Sequence, residues 1–177
     1  MRIVGGRLKG IRFNPPKNLP VRPTTDMAKE ALFNILQNQV DIDQLHVLDL
    51  FSGTGNISLE FASRDAIAIT SVDKNFGCYN YLKNISVEQN LSQIKAVKAD
   101  VFKYINQENE KYDLIFADPP YDLNRIPEIA PLIFEKQLLN KNGLLIIEHQ
   151  SMQDLSNHPN FTEKRKYGYS AFSFFNN

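Results

Sequence analysis

Asp118-Pro119-Pro120-Tyr121 is the stretch of this chain whose residue types most directly imply chemistry. A Pro-Pro pair fixes the backbone and carries no N–H, so the neighbouring carbonyl oxygens have no competing local donor. A carboxylate beside such a carbonyl can hold both N–H bonds of an amino group. An amine conjugated to an aromatic ring is a poor nucleophile, because its lone pair is delocalised. If Asp118 and the Pro119 carbonyl each accept one N–H, the nitrogen pyramidalises and its lone pair can be aimed at an electrophile. Tyr121 adds a face on which a flipped nucleobase stacks, worth ~1–3 kcal/mol. Asp118, Pro119 and Tyr121 are therefore the candidate catalytic residues.

A partner for that amine is suggested by His46 to Ser58, where a short apolar run (Val47, Leu48, Leu50) breaks into Ser52-Gly53-Thr54-Gly55 and then resumes with helical period. A strand, a glycine turn and a helix make the first βα unit of a nucleotide-binding sheet. The dinucleotide pattern Gly-x-Gly-x-x-Gly is not met, since Ser58 stands at the third glycine position. Asp49 would repel a pyrophosphate and suits a ligand bearing an ammonium, as S-adenosylmethionine does. Asp49, Phe51, Ser52, Gly53, Thr54 and Gly55 are thus candidate ligand-binding residues. Asp73 lies 18 residues beyond Gly55 with Lys74 after it, and a carboxylate at that strand end can accept from both ribose hydroxyls. Asp100 could accept from an adenine amino group while Val101 and Phe102 cover the ring; it is equally suited to cap the following helix.

These residues need a scaffold, and the hydropathy pattern supplies one. Strands are expected at Val47–Leu50, Ala66–Val72, Ile94–Ala99, Tyr112–Ala117 and Leu144–His149, with helices between them and the last helix around Ile129–Leu139. Alternation of this kind implies right-handed crossovers and a mainly parallel, doubly wound sheet. Asp49, Asp73, Asp100 and Asp118 then fall at consecutive strand ends, where such sheets bind ligands. Phe161 to Phe175 alternates and turns near Gly168, as a closing antiparallel hairpin would. Upstream, Ala28, Ala31, Leu32, Ile35 and Leu36 predict an amphipathic helix with Thr24 or Thr25 as its N-cap. Residues 1–13 are expected to form a small hairpin with one apolar and one basic face, followed by a proline-rich loop.

The chain has 177 residues and equal numbers of acidic and basic side chains, which suits one domain. Residues 1–25 hold Arg2, Arg7, Lys9, Arg12, Lys17 and Arg22 with no acid, leaving the remainder at −6. A basic arm over residues 1–22 on an acidic body over residues 23–177 reads as an anion-binding element beside a catalytic one. Arg2, Arg7, Lys9, Arg12 and Arg22 are the candidate anion-binding residues, RNA-binding ones where the anion is an RNA backbone. Removing such an arm is expected to leave the fold and ligand binding intact. Cys78 is the only cysteine, which rules out an internal disulfide and a cysteine-based zinc cluster, and the histidines have no metal-binding spacing. No metal is expected. The absence of a long apolar run and of a signal peptide points to the cytoplasm.

Taken together, these motifs resemble a known family. Asp-Pro-Pro-Tyr after a buried strand, with Asp-Leu-Phe-Ser-Gly-Thr-Gly upstream, looks like amino-methyltransferases acting on exocyclic nitrogens. Met1-Arg-Ile-Val-Gly-Gly-Arg-Leu-Lys-Gly10, Val21-Arg-Pro-Thr-Thr-Asp26, Lys29-Glu-Ala-Leu-Phe-Asn-Ile-Leu36 and the Tyr167-Gly168 tail resemble the bacterial RsmD family over essentially the whole chain. The resemblance implies a Rossmann-like class I methyltransferase with a seven-stranded α/β sheet. It implies S-adenosylmethionine as donor, S-adenosylhomocysteine as product and a monomeric enzyme. The acceptor implied is a guanine N2 in 16S ribosomal RNA, at position 966, within the 30S subunit or an assembly intermediate. Phe51 stands where many methyltransferases have a first glycine, Asn56-Ile57-Ser58 replaces an Ala-Leu-Gly run, and Asp65 replaces a glycine. DNA adenine-N6 and cytosine-N4 methyltransferases share the Asp-Pro-Pro-Tyr logic but usually carry a target-recognition domain, for which this chain has no large insertion. A non-catalytic RNA-binding ribosome assembly factor is the alternative from another class, against which the intact Asp118, Tyr121, Gly53 and Gly55 argue. Ser58 and Asp49 disfavour a dehydrogenase.

Overall fold

A computed structural model describes residues 1–19 and 25–177. Arg22 and Thr24 lie outside the described residues. Helix α1 (Asp26–Gln37) starts at Thr25, whose hydroxyl accepts from the Ala28 N–H at 3.2 Å. Strands and helices then alternate as β1 (His46–Leu50), α2 (Asn56–Ser63), β2 (Ala68–Asp73), α3 (Phe76–Glu88), β3 (Ile94–Lys98), α4 (Val101–Gln107), β4 (Tyr112–Ala117), α5 (Ile129–Glu135) and β5 (Leu139–Gln150). The chain closes with β6 (Phe161–Tyr167) and β7 (Ser170–Asn176). The sheet order is β3-β2-β1-β4-β5-β7-β6, with β1 to β5 parallel and β7 antiparallel to both β5 and β6. The doubly wound sheet and its closing hairpin are those expected.

Each strand feeds two cores by its period of two. In β4, Leu114 and Phe116 pack with α1, α2 and the N-terminal segment, while Ile115 and Ala117 pack with α4 and α5. Strand order reverses direction between β1 and β4, and their carboxyl ends lie side by side: Leu50 pairs with Ala117, and the Asp118 N–H donates to the Leu50 carbonyl at 3.2 Å. That is the topological switch point, where open α/β sheets bind ligands. Among the described residues no helix is long and apolar enough to cross a membrane.

Two elements differ from the sequence expectation. The last crossover helix ends at Glu135, and β5 begins at Leu139. Gln137 and Asn142 both adopt left-handed φ values, near 54° and 64°. Gln137 lies just past the end of the helix, and Asn142 lies within β5 where the register jumps between Tyr112↔Leu139 and Leu114↔Leu144. The N-terminal hairpin is reduced to the bridge Arg2↔Arg12, flanked by Ile3 N–H to the Ile11 carbonyl at 3.0 Å and Phe13 N–H to the Met1 carbonyl at 2.8 Å. Ile3, Leu8 and Phe13 are buried in the first core, whereas Ile11 is 38% exposed. Gly6 crosses α2 with φ near 71°, and a Cβ there would meet the Ser63 carbonyl oxygen at 1.9 Å. Residues 1–13 are thus part of the core, and the expectation of an arm removable without damage to the fold does not survive this packing.

Candidate active site

The turn after β1 is built from alternating left-handed residues: Phe51 (φ 60°), Gly53 (53°) and Gly55 (82°). Glycine takes that conformation without a Cβ penalty, and at Gly55 a Cβ would also strike Leu82 Cδ1 at 2.4 Å. Phe51 is held there with its ring edge-on to Phe102, centroids 6.3 Å apart. The turn is pinned by the Ser52 N–H on the Val72 carbonyl at 3.1 Å and by the Gly55 N–H on the Ser52 carbonyl at 2.8 Å. A third anchor is the Asp73 carboxylate, which accepts the Gly53 N–H at 2.9 Å and the Asn75 N–H at 2.7 Å. Asp73 therefore sits beside the glycine turn with each oxygen oriented by one backbone donor and a further lone pair available. Ser52 is half-buried, Thr54 is buried with its hydroxyl 3.9 Å from Met1 Sδ, and Lys74 is exposed.

Asp49 departs from expectation. Its side chain is on the Val47 face of β1, turned into the layer beneath α2, and the residue is 1% exposed. The Ser58 hydroxyl donates to it, and Ser58 Oγ lies 2.7 Å from Ser71 Oγ. Burial raises its pKa to about 7 against the partial opposition of the Ser58 hydrogen bond. Strand alternation forces this: a residue two places from buried Val47 points the same way. In this structure Asp49 is tied to α2 through Ser58 and does not face open solvent.

At the next strand end Asp100 caps α4, accepting the Lys103 N–H at 3.0 Å, so the capping role is realised. Val101 and Phe102 are buried. The Arg125 guanidinium lies 3.7 Å from the Phe102 ring centroid and is held by Glu128 at 2.8–2.9 Å. Arg125 carried no sequence signal, because it stacks on a residue 23 positions away in sequence.

Asp118 is half-buried at the end of β4, Pro119 is buried, and Leu123 N–H closes the turn on the Pro120 carbonyl at 2.9 Å. The Tyr121 hydroxyl donates to Glu148 Oε1 at 3.3 Å. Glu148, in β5, is 5% exposed. The β4–β5 ladder ends on Ala117↔Ile147, so Asp118 follows directly after β4, and Glu148, on the Ile146 face of β5, is the next residue of that strand. His149 points to the other face, its Nδ1–H donating to the Gln150 carbonyl at 2.8 Å and its Nε2 accepting from the Ser173 hydroxyl at 2.7 Å. Burial lowers its pKa, so it is a neutral structural imidazole.

The basic residues of the N-terminal segment divide into two groups. Arg2 pairs with Asp26 at 3.0 Å and Glu30 at 3.2 Å, and Arg7 with Asp65 at 3.5 Å. Lys9 and Arg12 are exposed. Beneath them a buried network joins the segment to α1 and α2. Glu60 accepts the Val4 N–H at 3.0 Å and the Gly5 N–H at 2.8 Å, and pairs with Arg64 at 3.0 Å and Lys29 at 3.4 Å. Lys29 also donates to the Asn56 Oδ1 at 2.8 Å, at the start of α2 immediately after the glycine turn.

A family model described as conserved hypothetical protein 95 matches residues 1–176. A ribosomal RNA small subunit methyltransferase D from Buchnera aphidicola subsp. Acyrthosiphon pisum is 30% identical over 166 residues, covering 93% of this chain and 85% of that protein. Among solved structures, a hypothetical protein from Thermus thermophilus superposes with a TM-score of 0.82 at 25% identity, covering 99% of this chain and 98% of that one. An RNA methyltransferase from Salinibacter ruber, in complex with S-adenosyl-L-homocysteine, shares the fold alone, with a TM-score of 0.67 at 12% identity over 88% of this chain and 93% of that one. The seven-stranded sheet is that of the Rossmann-like methyltransferases, and the chain belongs to the conserved hypothetical protein 95 family, that of the RsmD ribosomal RNA methyltransferases.

Proposed function

We propose that this protein methylates the exocyclic N2 of a guanine in 16S ribosomal RNA, with S-adenosylmethionine as donor, acting as a monomer in the cytoplasm on the 30S subunit or an assembly intermediate. The family resemblance of the sequence motifs makes the guanine at position 966 the expected target. The observation that carries this reading is the meeting, at the switch point, of the glycine turn with Asp118-Pro119-Pro120-Tyr121, through the Asp118 N–H on the Leu50 carbonyl at 3.2 Å.

The residues present fit the donor. Gly53 and Gly55 have no Cβ, so a ligand can approach the backbone of the turn closely. Asp73 retains acceptor capacity suited to a ribose diol, and Phe51, Val101 and Phe102 offer an apolar wall with Asp100 beside it. Bound there, the donor supplies a methyl on a positively charged sulfur. The N2 lone pair would take up that methyl, the donor would leave as its neutral thioether, and the nitrogen would release one proton to water. The chain's own task is to prepare the amine. Asp118 and the Pro119 carbonyl each accept an N2–H, which draws the lone pair out of conjugation and points it along the line of attack. Tyr121 supplies the stacking face that holds the base out of its helix. In the N-terminal segment, residues 1–22, Lys9 and Arg12 contact RNA phosphates, as do Arg2 and Arg7 once they exchange their carboxylate partners, and Arg22 completes the set; residues 23–177 form the catalytic body.

Mapping modified nucleotides in 16S RNA from a strain lacking this protein tests the reading. One N2-methylguanine should be missing, restored by the wild-type chain and not by Asp118→Ala, whose turnover should fall by at least about 10²-fold with donor affinity little changed. An unaltered modification map would refute the proposal.

A further inference from the structure

We propose that Glu148 selects guanine as the methyl acceptor, by accepting the N1–H of the target base while Asp118 and the Pro119 carbonyl hold its N2 amino group. This inference rests on the guanine reading above and assigns the residue that enforces it.

Register is the first support. The β4–β5 ladder ends on Ala117↔Ile147, so Asp118 follows directly after β4 while Glu148 is the next residue of β5. Two carboxylates thus arrive together at the carboxyl edge of the sheet. Position relative to the base is the second. The Tyr121 hydroxyl reaches Glu148 Oε1 at 3.3 Å, so the carboxylate lies at the rim of the ring on which the base would stack. Glu148 also follows the unbroken apolar run Leu144–Ile147 within β5 and is 5% exposed.

The chemistry of base edges gives the choice. Guanine presents N1–H and the N2 amino group side by side, a row of donors. Adenine and cytosine each place a ring-nitrogen lone pair beside their amino group, and a carboxylate facing that lone pair repels it. A single acceptor group at Asp118-Pro119 would serve any of the three amines. A second acceptor beside it serves guanine only. A site built to hydrogen-bond a substrate N–H rejects analogues lacking it, because its polar group is then left unpaired.

The test compares small subunits reconstituted on ligated 16S RNA carrying either guanine or 2-aminopurine at the target position. 2-Aminopurine keeps the amino group but replaces N1–H by a lone pair. The wild type should favour guanine, and Glu148→Gln, whose amide can donate to that lone pair, should shrink the ratio of kcat/KM values by about 10- to 100-fold. Intrinsic reactivity of the two amines cancels when the variants are compared. Glu148→Asp, which keeps an acceptor, should be slower but retain the preference. Melting temperature and donor affinity check that each variant is folded, and Glu148→Ala takes the place of the glutamine variant if that one does not fold; it too must lose the preference. A folded, donor-binding Gln or Ala variant whose ratio stays within about threefold of wild type overturns the assignment. A wild type that places no methyl on guanine N2 defeats the proposed function itself, and the assignment with it; a wild type that does so with an unmoved ratio in the variants defeats the Glu148 assignment alone.

Discussion

Replacing Glu60 with alanine tests how the N-terminal segment is joined to the body. Glu60 and Lys29 have fully buried side chains 3.4 Å apart, and the same carboxylate accepts the Val4 and Gly5 N–H groups at 3.0 and 2.8 Å. Burial already lowers the pKa of Lys29, with Glu60 opposing the shift. Glu60→Ala leaves a buried ammonium without its counter-charge, at ~3–5 kcal/mol, and deprives two backbone donors of an acceptor, each worth ~1–3 kcal/mol. These losses share one site and overlap, so ~3–5 kcal/mol is the expected minimum. For a chain of this size each kcal/mol moves the midpoint by about 2–4 °C, which gives a drop of about 6–20 °C. Thermal unfolding followed by circular dichroism measures it, with Glu163→Ala as a contrast, since its pair with Arg165 is solvated and worth less than ~1 kcal/mol. A Glu60→Ala midpoint within about 2 °C of wild type would refute the reasoning and show that the segment is held by its apolar residues alone.

Three further outcomes are expected. Asp73→Ala should weaken donor binding by ~1–3 kcal/mol, since it removes an acceptor and also unpins the Gly53 N–H; calorimetry reads this, and excess donor should restore part of the rate. Charge reversal of exposed Lys9 and Arg12 should lower the slope of log K against log salt by ~0.7–0.9 per phosphate contact, alike for all RNA sequences, with smaller changes at Arg2 and Arg7 because both have carboxylate partners; an unchanged slope would show that these two side chains do not touch RNA. Asp49, raised from 3.8 to about 7 in the fold, binds its proton more tightly folded than unfolded. Its contribution is therefore fully present below the unfolded value and declines as pH rises through the folded one. Asp49→Asn removes that dependence, so the variant's melting temperature relative to wild type should climb between about pH 4 and 7, and a difference flat across that window would mean Asp49 is ionised at no cost.

What could be read from the residues alone was local in origin. The apolar run in Tyr112–Ala117, the glycines after Leu50 and the prolines after Asp118 constrain backbone within a few positions, so strands, turn and strand-end aspartates were legible before any fold was known. The same locality explains the misjudged start of β5, where two left-handed residues, Gln137 and Asn142, overrode an apolar pattern that suits helix and strand equally. Direction and partnership were settled elsewhere. Asp49 was recognisable as a strand-end acid, and alternation sets its face, but only the packing of α2 over that face of β1 set Ser58 against it and covered it from solvent. The basic segment was visible as charge, yet its fixation depends on Glu60 and Lys29, which reach it from separate helices. Glu148 could be placed at the fifth strand beside the site, but its partner Tyr121 comes from another βα unit; Arg125 had no signature, since it matters through Phe102 of another unit. Sequence period determines which face a side chain takes, because that follows from backbone hydrogen bonding. Which chemistry meets on that face depends on the order of the strands, and that order is a property of the whole packed sheet.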